Sequence, residues 1–172
     1  RDALLYENEA MAIYREAGDR AGIGETHFSV GSVYFYLGNY TEALKHYEEA
    51  FAVATETGNP EFLGRVVGGM GSVYSSAGRP DLAGEPYRKC LEIARASKQK
   101  TDIVWALNNL ASLEIQLGEL PAARRHAEEA LAILPAEGQD YLRARALYLR
   151  GMAGGGPAGS SIGDLESALS HA

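Results

Sequence analysis

Residues 31–50 read GSVYFYLGNYTEALKHYEEA, and this stretch decides the fold because it returns twice along the chain. Residues 71–90 read GSVYSSAGRPDLAGEPYRKC, and residues 111–130 read ASLEIQLGELPAARRHAEEA. Gly38, Gly78 and Gly118 therefore stand 40 residues apart, at the same place in each copy. A fixed period of this length is typical of a stack of similar supersecondary units, none of which buries its apolar face alone.

Each copy has the pattern of two amphipathic helices joined by a short turn. Val30 and Tyr34 recur at helical spacing before Gly38, and Ala43 and Tyr47 do the same after it. Gly38 is expected to end the first helix in the left-handed conformation, where a residue without Cβ meets no steric penalty. The unit is therefore predicted to be an antiparallel helix pair.

Small residues recur where the two helices of a pair are expected to cross. Gly31, Ala43 and Ala50 hold these positions, and Cys90 replaces Ala50 one period later as another small apolar residue. A larger side chain would push the helices apart, and overpacking of this kind costs roughly 1–3 kcal/mol. Tyr47 is expected to fill the space between the crossings.

This spacing of small and aromatic residues resembles the tetratricopeptide repeat. The residues that carry the resemblance are Gly31, Tyr34, Gly38, Tyr40, Ala43, Tyr47 and Ala50, then Gly71, Tyr74, Gly78, Ala83, Tyr87 and Cys90, then Leu107, Leu110, Ala111, Gly118, Ala123 and Ala130. The 40-residue unit is similar to the longer variants of kinesin light chains, Pins-type adaptors and bacterial regulators. The resemblance implies an all-α, right-handed superhelical solenoid of antiparallel helix pairs.

The period divides the chain into repeats. The predicted divisions are the second helix of an incomplete repeat (1–18), repeat 1 (19–58), repeat 2 (59–98), repeat 3 (99–138) and a partial repeat with a glycine-rich inner loop at 154–161 (139–172). Neither end has the polar cap that a stack requires. The chain is therefore expected to be part of a longer array.

Composition narrows the class of partner. The net charge is −7 with a pI near 5.1, which weighs against nucleic-acid binding, because that needs clustered Lys and Arg. No apolar run reaches the roughly 18 residues of a membrane span. Cys90 is the one cysteine, which excludes an internal disulfide and fits a reducing, cytoplasmic location.

In tetratricopeptide stacks the first helices of successive repeats line a concave groove that binds peptides. Helical geometry predicts that a free face on these helices carries Phe28, Ser32, Tyr36, Arg65, Gly68, Ser72, Trp105, Asn108, Ser112, Arg145 and Tyr148, and the resemblance adds Asn109 to the groove. Small residues in the middle repeat suggest a shallow trough with aromatic walls. In the alternative, the glycine-rich helix of the middle repeat is simply a poor or mobile helix, or the aromatic residues pack against neighbouring repeats.

The asparagine pair in the third copy has a more specific resemblance. Related repeats use asparagine to bond a ligand's backbone, since a carboxamide both donates and accepts. The carboxylate clamp that binds chaperone C-termini is incomplete here, because Gly68 and Ser72 stand at two of its positions. In the alternative, Asn108 and Asn109 are ordinary solvated residues.

The sequence predicts no catalytic, cofactor or metal site. His46, His126 and His171 recur at equivalent positions, but these lie on separate helices and Pro86 interrupts the series. A zinc site needs several convergent ligands. The sequence therefore favours a non-catalytic protein- or peptide-binding module. Two alternatives stay open: a ligand-sensing domain of a bacterial transcription regulator, and a scaffold that self-associates through its repeat ends.

Overall fold

The computed structural model describes residues 2–134 and 140–154, and within them it contains only helices and turns. The helices are α1 (Asp2–Ala17), α2 (Arg20–Tyr36), α3 (Tyr40–Thr57), α4 (Pro60–Ser76), α5 (Pro80–Ser97), α6 (Lys100–Gln116), α7 (Leu120–Ile133) and α8 (Asp140–Ala153). The predicted all-α class and antiparallel helix pairing are confirmed. Of the predicted glycine-rich loop, 155–161 lies outside the described residues, as does 162–172.

The turns between helices repeat one backbone device. Five glycines adopt positive φ at helix ends: Gly18 (67°), Gly38 (74°), Gly58 (63°), Gly78 (73°) and Gly118 (76°). Lys98 takes this conformation without being glycine, with φ of 56°. After two of these turns an asparagine caps the next helix: Asn39 Oδ1 accepts from the Glu42 N–H and Asn59 Oδ1 from the Phe62 N–H, at 3.3 and 3.0 Å.

The chain divides into two compact units, and the boundary along the sequence falls within α5. Unit 1 comprises the described residues up to Ile93, and unit 2 those from Ala94 onward. In unit 1 a core cluster contains Ala43, Tyr47, Ala50, Ala54, Phe62, Val66 and Val73. In unit 2 a core cluster contains Ala111, Ala123, Ala127, Leu149 and Ala153.

In unit 1, glycine–tyrosine pairs set how closely the two helices of a repeat approach. A Cβ placed on Gly31 would lie 2.7 Å from the Tyr47 ring, and one on Gly71 would lie 2.6 Å from the Tyr87 ring. Ala43 and Ala50 are fully buried, as the small-residue pattern predicts. Only glycine therefore lets the ring lie flat on the first helix.

Repeat 3 replaces each member of this pair. Ala111 and Ala127 stand 40 residues after Gly71 and Tyr87, and Leu149 of α8 completes their cluster. In unit 1 the residue equivalent to Leu149 is Gly69, where a Cβ would lie 3.1 Å from Tyr47 Cζ. In unit 1 the large side chain that fills this contact is a tyrosine from the second helix of the same repeat. In unit 2 it is Leu149, which comes from the first helix of the following repeat.

Candidate functional site

The predicted site residues fall into one set in each unit. All lie on the inner helices, a name used here for α2, α4, α6 and α8, the first helices of their repeats. The unit 1 set is Phe28, Ser32, Tyr36, Arg65, Gly68 and Ser72. The unit 2 set is Trp105, Asn108, Asn109, Ser112, Arg145 and Tyr148.

Arg65 is the organising residue of the unit 1 set. Its guanidinium lies over the Phe28 ring at 5.3 Å and over the Phe62 ring at 5.2 Å, and it forms an ion pair with Glu25. Two cation–π contacts and one ion pair therefore restrain the guanidinium, and cation–π contacts contribute about 0.5–1 kcal/mol each at exposed sites. About half of the Arg65 side chain remains exposed. Arg65 is therefore a positioned cation with N–H donors left over.

Phe28 belongs to the layer between helices rather than to an open wall. Its ring centroid lies 5.4 Å from that of Tyr47 on α3 and 6.2 Å from that of Phe62 on α4. For this residue the packing alternative describes the structure, because α4 covers its side of α2. Tyr36, the last residue of α2, is by contrast 86% exposed.

The unit 1 serines are already bonded inside their own repeats. Ser32 Oγ donates to the Phe28 carbonyl at 2.9 Å, so the Tyr47 hydroxyl, 3.1 Å away, donates to Ser32. Burial raises the pKa of Tyr47, which keeps that donor protonated. Ser72 Oγ likewise donates to the carbonyl of Gly68 and accepts from the Tyr87 hydroxyl.

Gly68, one of the small residues from which the trough was predicted, is itself buried. Gly68, Ser32 and Ser72 therefore contribute to packing and to the position of their neighbours. Within the unit 1 set, the exposed residues are Tyr36 and Arg65.

In unit 2 the asparagine pair joins α6 to α8. Asn108 is fully buried, and its Nδ2 donates to the Leu142 carbonyl at 3.2 Å. Asn109, 4% exposed, accepts a hydrogen bond from the Arg145 guanidinium at 2.7 Å. The sequence places Asn108 on a free face, whereas the structure buries it, because α8 packs over that side of α6. The solvated alternative does not describe either residue.

Each asparagine keeps one polar atom unused. Asn108 Oδ1 and Asn109 Nδ2 are buried and have no hydrogen-bond partner among the described residues. Leaving a buried polar atom unpaired costs about 1–3 kcal/mol. This side of the α6–α8 contact is therefore less well satisfied than a helix interface that serves packing alone.

An exposed stripe of unit 2 lies on α8. Tyr141, Arg145, Tyr148 and Met152 follow one another at spacings of four, three and four, which places them on one helix face. Tyr141 is 74% exposed, Tyr148 44% and Met152 45%, while Arg145 is half-buried. Trp105 and Ser112 on α6 are also half-buried. Tyr141 is not among the groove residues predicted from the sequence, although its position seven residues before Tyr148 places it on the same helix face.

Charge is distributed unevenly along the chain. Helix α8 carries Arg143, Arg145 and Arg150 against one acidic residue, Asp140, in a protein whose net charge is −7. Arg145 is the one charged member of the stripe, where it lies among aromatic side chains. Within the described residues, every helix is too short or too polar to traverse a lipid bilayer.

The family model described as "Tetratricopeptide repeat" matches the chain three times, over residues 2–56, 22–96 and 62–136. The search of the curated proteins finds no significant match.

Solved structures show the same fold. Aspartyl phosphate phosphatase F from Bacillus subtilis superposes with a TM-score of 0.86 at 18% identity, over 96% of this chain and 43% of that one. The apo form of RapI gives 0.84 at 19% identity, over 96% and 46% of the two chains. A putative kinesin light chain from Podosopora anserina, with nearly identical TPR-like repeats, gives 0.72 at 15% identity over 95% and 84%.

The chain spans less than half the length of the first two of these proteins. At such identities the structural likeness establishes the fold alone. The family follows from the sequence model, whose matches together run from residue 2 to residue 136. This chain therefore belongs to the tetratricopeptide repeat family.

Proposed function

We propose that the chain is a non-catalytic module that binds a peptide segment of another protein, in the cytoplasm, through its inner helices. The observation that carries the proposal is the arrangement on α8 in unit 2. There Arg145 is held by Asn109 at 2.7 Å beside the exposed rings of Tyr141 and Tyr148. Exposed aromatic side chains at helical spacing form an apolar strip that a bound partner can cover, and aromatic residues are frequent anchors of binding surfaces.

The chemistry of this surface suits a peptide with an acidic residue beside an apolar one. Arg145 uses one N–H on Asn109 and has further donors in its planar fork, which matches a carboxylate. Tyr148 and the half-buried Trp105 offer apolar area at low cost in side-chain entropy. Because Asn109 already orients the guanidinium, the ligand need not order it, and this pre-organisation favours affinity.

In unit 1 we assign the corresponding contacts to Tyr36 and Arg65. Phe28, through its ring, and Ser32 and Ser72, through their hydroxyls, act as positioning residues in this proposal. Tyr47 bonds Ser32 and Tyr87 bonds Ser72 in unit 1. In unit 2 the equivalent position beside Ser112 is Ala127, which has no hydroxyl. We therefore assign to the Ser112 hydroxyl a direct contact with the ligand.

The test is a selection from a displayed peptide library, followed by affinity measurements with a fluorescent copy of the selected peptide. Tyr148→Ala should weaken binding at least tenfold, since truncating an aromatic anchor costs about 2 kcal/mol or more. Phe51→Ala is the matched control, because Phe51 is 41% exposed on α3, an outer helix. Arg145→Ala is a poorer probe, since it would also strand the buried Asn109.

The proposal fails if the selected peptide binds Tyr148→Ala as tightly as the wild type, or if Phe51→Ala alone weakens it. Light scattering on the unliganded chain across concentration addresses the scaffold alternative in the same preparation. Growth of the particle mass with concentration, together with no selected peptide, would favour self-association.

A further inference from the structure

Two histidines meet inside the first complete repeat of unit 1. His27 on α2 and His46 on α3 are both half-buried, and their Nδ1 atoms lie 3.1 Å apart. The ring centroids are 5.4 Å apart. This distance exceeds the 3.1 Å between the two Nδ1 atoms by about two imidazole radii. The two centroids and the two nitrogens are therefore nearly collinear, so each Nδ1 lone pair or N–H points directly at the other ring.

This geometry holds one proton between the rings. In a neutral pair one Nδ1 donates and the other accepts, so the two rings must be opposite tautomers at this atom. A first added proton goes to an outer Nε2 and leaves a charge-assisted N–H···N bond in place. A second added proton puts N–H groups on both facing nitrogens, and the contact must then open.

The surroundings oppose full protonation. Burial is the largest cause of a lowered pKa for both His27 and His46, and the neighbouring His46 lowers the pKa of His27 further. The charged groups that face the pair are Arg15 from α1 and Glu42, Lys45 and Glu49 from α3. The two glutamates favour protonation, but burial outweighs them.

One face of the pair is fixed by a second aromatic contact. Tyr34 stacks on the His46 ring at 5.6 Å between centroids, with the planes 20° apart. The ring therefore cannot swing aside without losing that contact. An opened pair would have to separate α2 from α3 or expose His27.

A metal ion does not fit between these rings. Two nitrogens bound to one zinc at about 2.0–2.1 Å need lone pairs that converge on a shared point, whereas these point at each other. Across residues 2–134 and 140–154, moreover, His, Cys, Asp and Glu side chains do not gather in threes around a possible ion. The contact is therefore suited to a proton.

We propose that the His27–His46 pair is a proton-operated lock between α2 and α3, closed at neutral pH and opened in mild acid when both imidazoles become charged. The unfolded chain takes up both protons near pH 6.5, whereas the folded pair resists the second. Stability that the pair supplies is thus present above that pH and is lost as the pH falls below it. For each proton that the unfolded state binds in excess of the folded state, the folding equilibrium constant falls about tenfold for every pH unit by which the pH is lowered.

The experiment compares the wild type with His27→Leu, which installs the residue that repeat 3 has at the equivalent buried position, Leu107. The folding equilibrium constant is measured by urea unfolding at pH 7.5 and at pH 5.5. Between these two pH values it should fall by a factor about ten times larger in the wild type than in the variant. His126→Gln is the matched control. It alters the histidine at the same place in repeat 3, which pairs with Glu114 at 2.8 Å, and should retain the wild-type difference.

A second readout does not depend on the variant folding. Histidine ring signals in the NMR spectrum of the wild-type chain should show His27 and His46 titrating together in two separated steps, the second at a lower pH than an ordinary histidine. Titration of both rings as independent groups near pH 6.5 would overturn the proposal. An equal acid sensitivity of His27→Leu and the wild type would do the same.

Discussion

Gly71→Ala should destabilise unit 1 although alanine is the better helix former. A Cβ at this position would lie 2.6 Å from Tyr87 Cδ1 and 2.7 Å from Cε1. The ring has little room to retreat, because Tyr87 is 4% exposed and its hydroxyl donates to Ser72 Oγ at 3.3 Å.

The magnitude follows from two opposed effects. Replacing a mid-helix glycine by alanine stabilises a helix by about 1 kcal/mol. Forcing a methyl group into a packed interior costs about 1–3 kcal/mol, and contact with the face of a fixed ring belongs at the upper end of that range. We therefore expect a net loss of about 1–2 kcal/mol.

The decisive measurement is the same substitution in a Tyr87→Ala background. Tyr87→Ala alone should cost about 3–5 kcal/mol, but it removes the ring that the new methyl group strikes. Adding Gly71→Ala should then regain about 1 kcal/mol. The double variant reproduces the alanine pair of repeat 3, Ala111 and Ala127, both of which are fully buried.

Urea unfolding followed by far-UV circular dichroism gives the free energy of each variant, and a double-mutant cycle gives the coupling. Gly84→Ala is the control, because its Cβ would meet only the flexible end of Arg88, at 3.1 Å. That variant should be more stable than the wild type by up to about 1 kcal/mol. If Gly71→Ala changes the free energy of unfolding in the same direction in both backgrounds, the glycine is not needed to accommodate the Tyr87 ring, and the packing argument fails.

Three further predictions concern single local features. Pro86→Ala should stabilise the protein by about 1–3 kcal/mol in a calorimetric or urea measurement, since Pro86 interrupts the hydrogen bonding of α5; an unchanged midpoint would show that the helix has adapted to the proline. Asn59→Ala should cost about 1 kcal/mol by urea unfolding, because it removes the cap on the Phe62 N–H, and Asn59→Asp should restore most of it. Gly118→Ala should cost about 1–2 kcal/mol through its φ of 76° alone, since nothing lies within 4 Å of the added Cβ; fluorescence of Trp105, the one tryptophan, would report this in unit 2, and a neutral result would exclude the conformational cost.

The helix pairs and their turns were predictable from sequence because their causes are local. A 3.6-residue periodicity and a residue without Cβ act within one or two helical turns, wherever the rest of the chain lies. Gly38 ends α2 as predicted, and Ala43 and Ala50 are buried at the crossing. The family was readable for the same reason, since its signature consists of packing residues.

The candidate site was only partly predictable. Helical geometry placed Tyr36 and Tyr148 on exposed faces, but it placed Asn108 there too, although that side chain is fully buried. The angle of a residue around its own helix does not state which neighbour covers that angle. Phe28 shows this most plainly, because α4 supplies the ring of Phe62 and the guanidinium of Arg65 to the face that α2 would otherwise expose.

The amino-acid sequence by itself determined where helices begin and end, which side of each is apolar, and that repeats of one kind follow one another. Tertiary structure alone decided which side chains from different helices meet. It brings His27 to His46, and it makes Leu149 the partner of Ala127 where Gly69 faces Tyr47 in unit 1. Such pairs depend on the sum of the volumes and charges that two helices bring to one place. The residue type at one position does not state which side chains from another helix will pack against it, so these pairs become visible only in the packed structure.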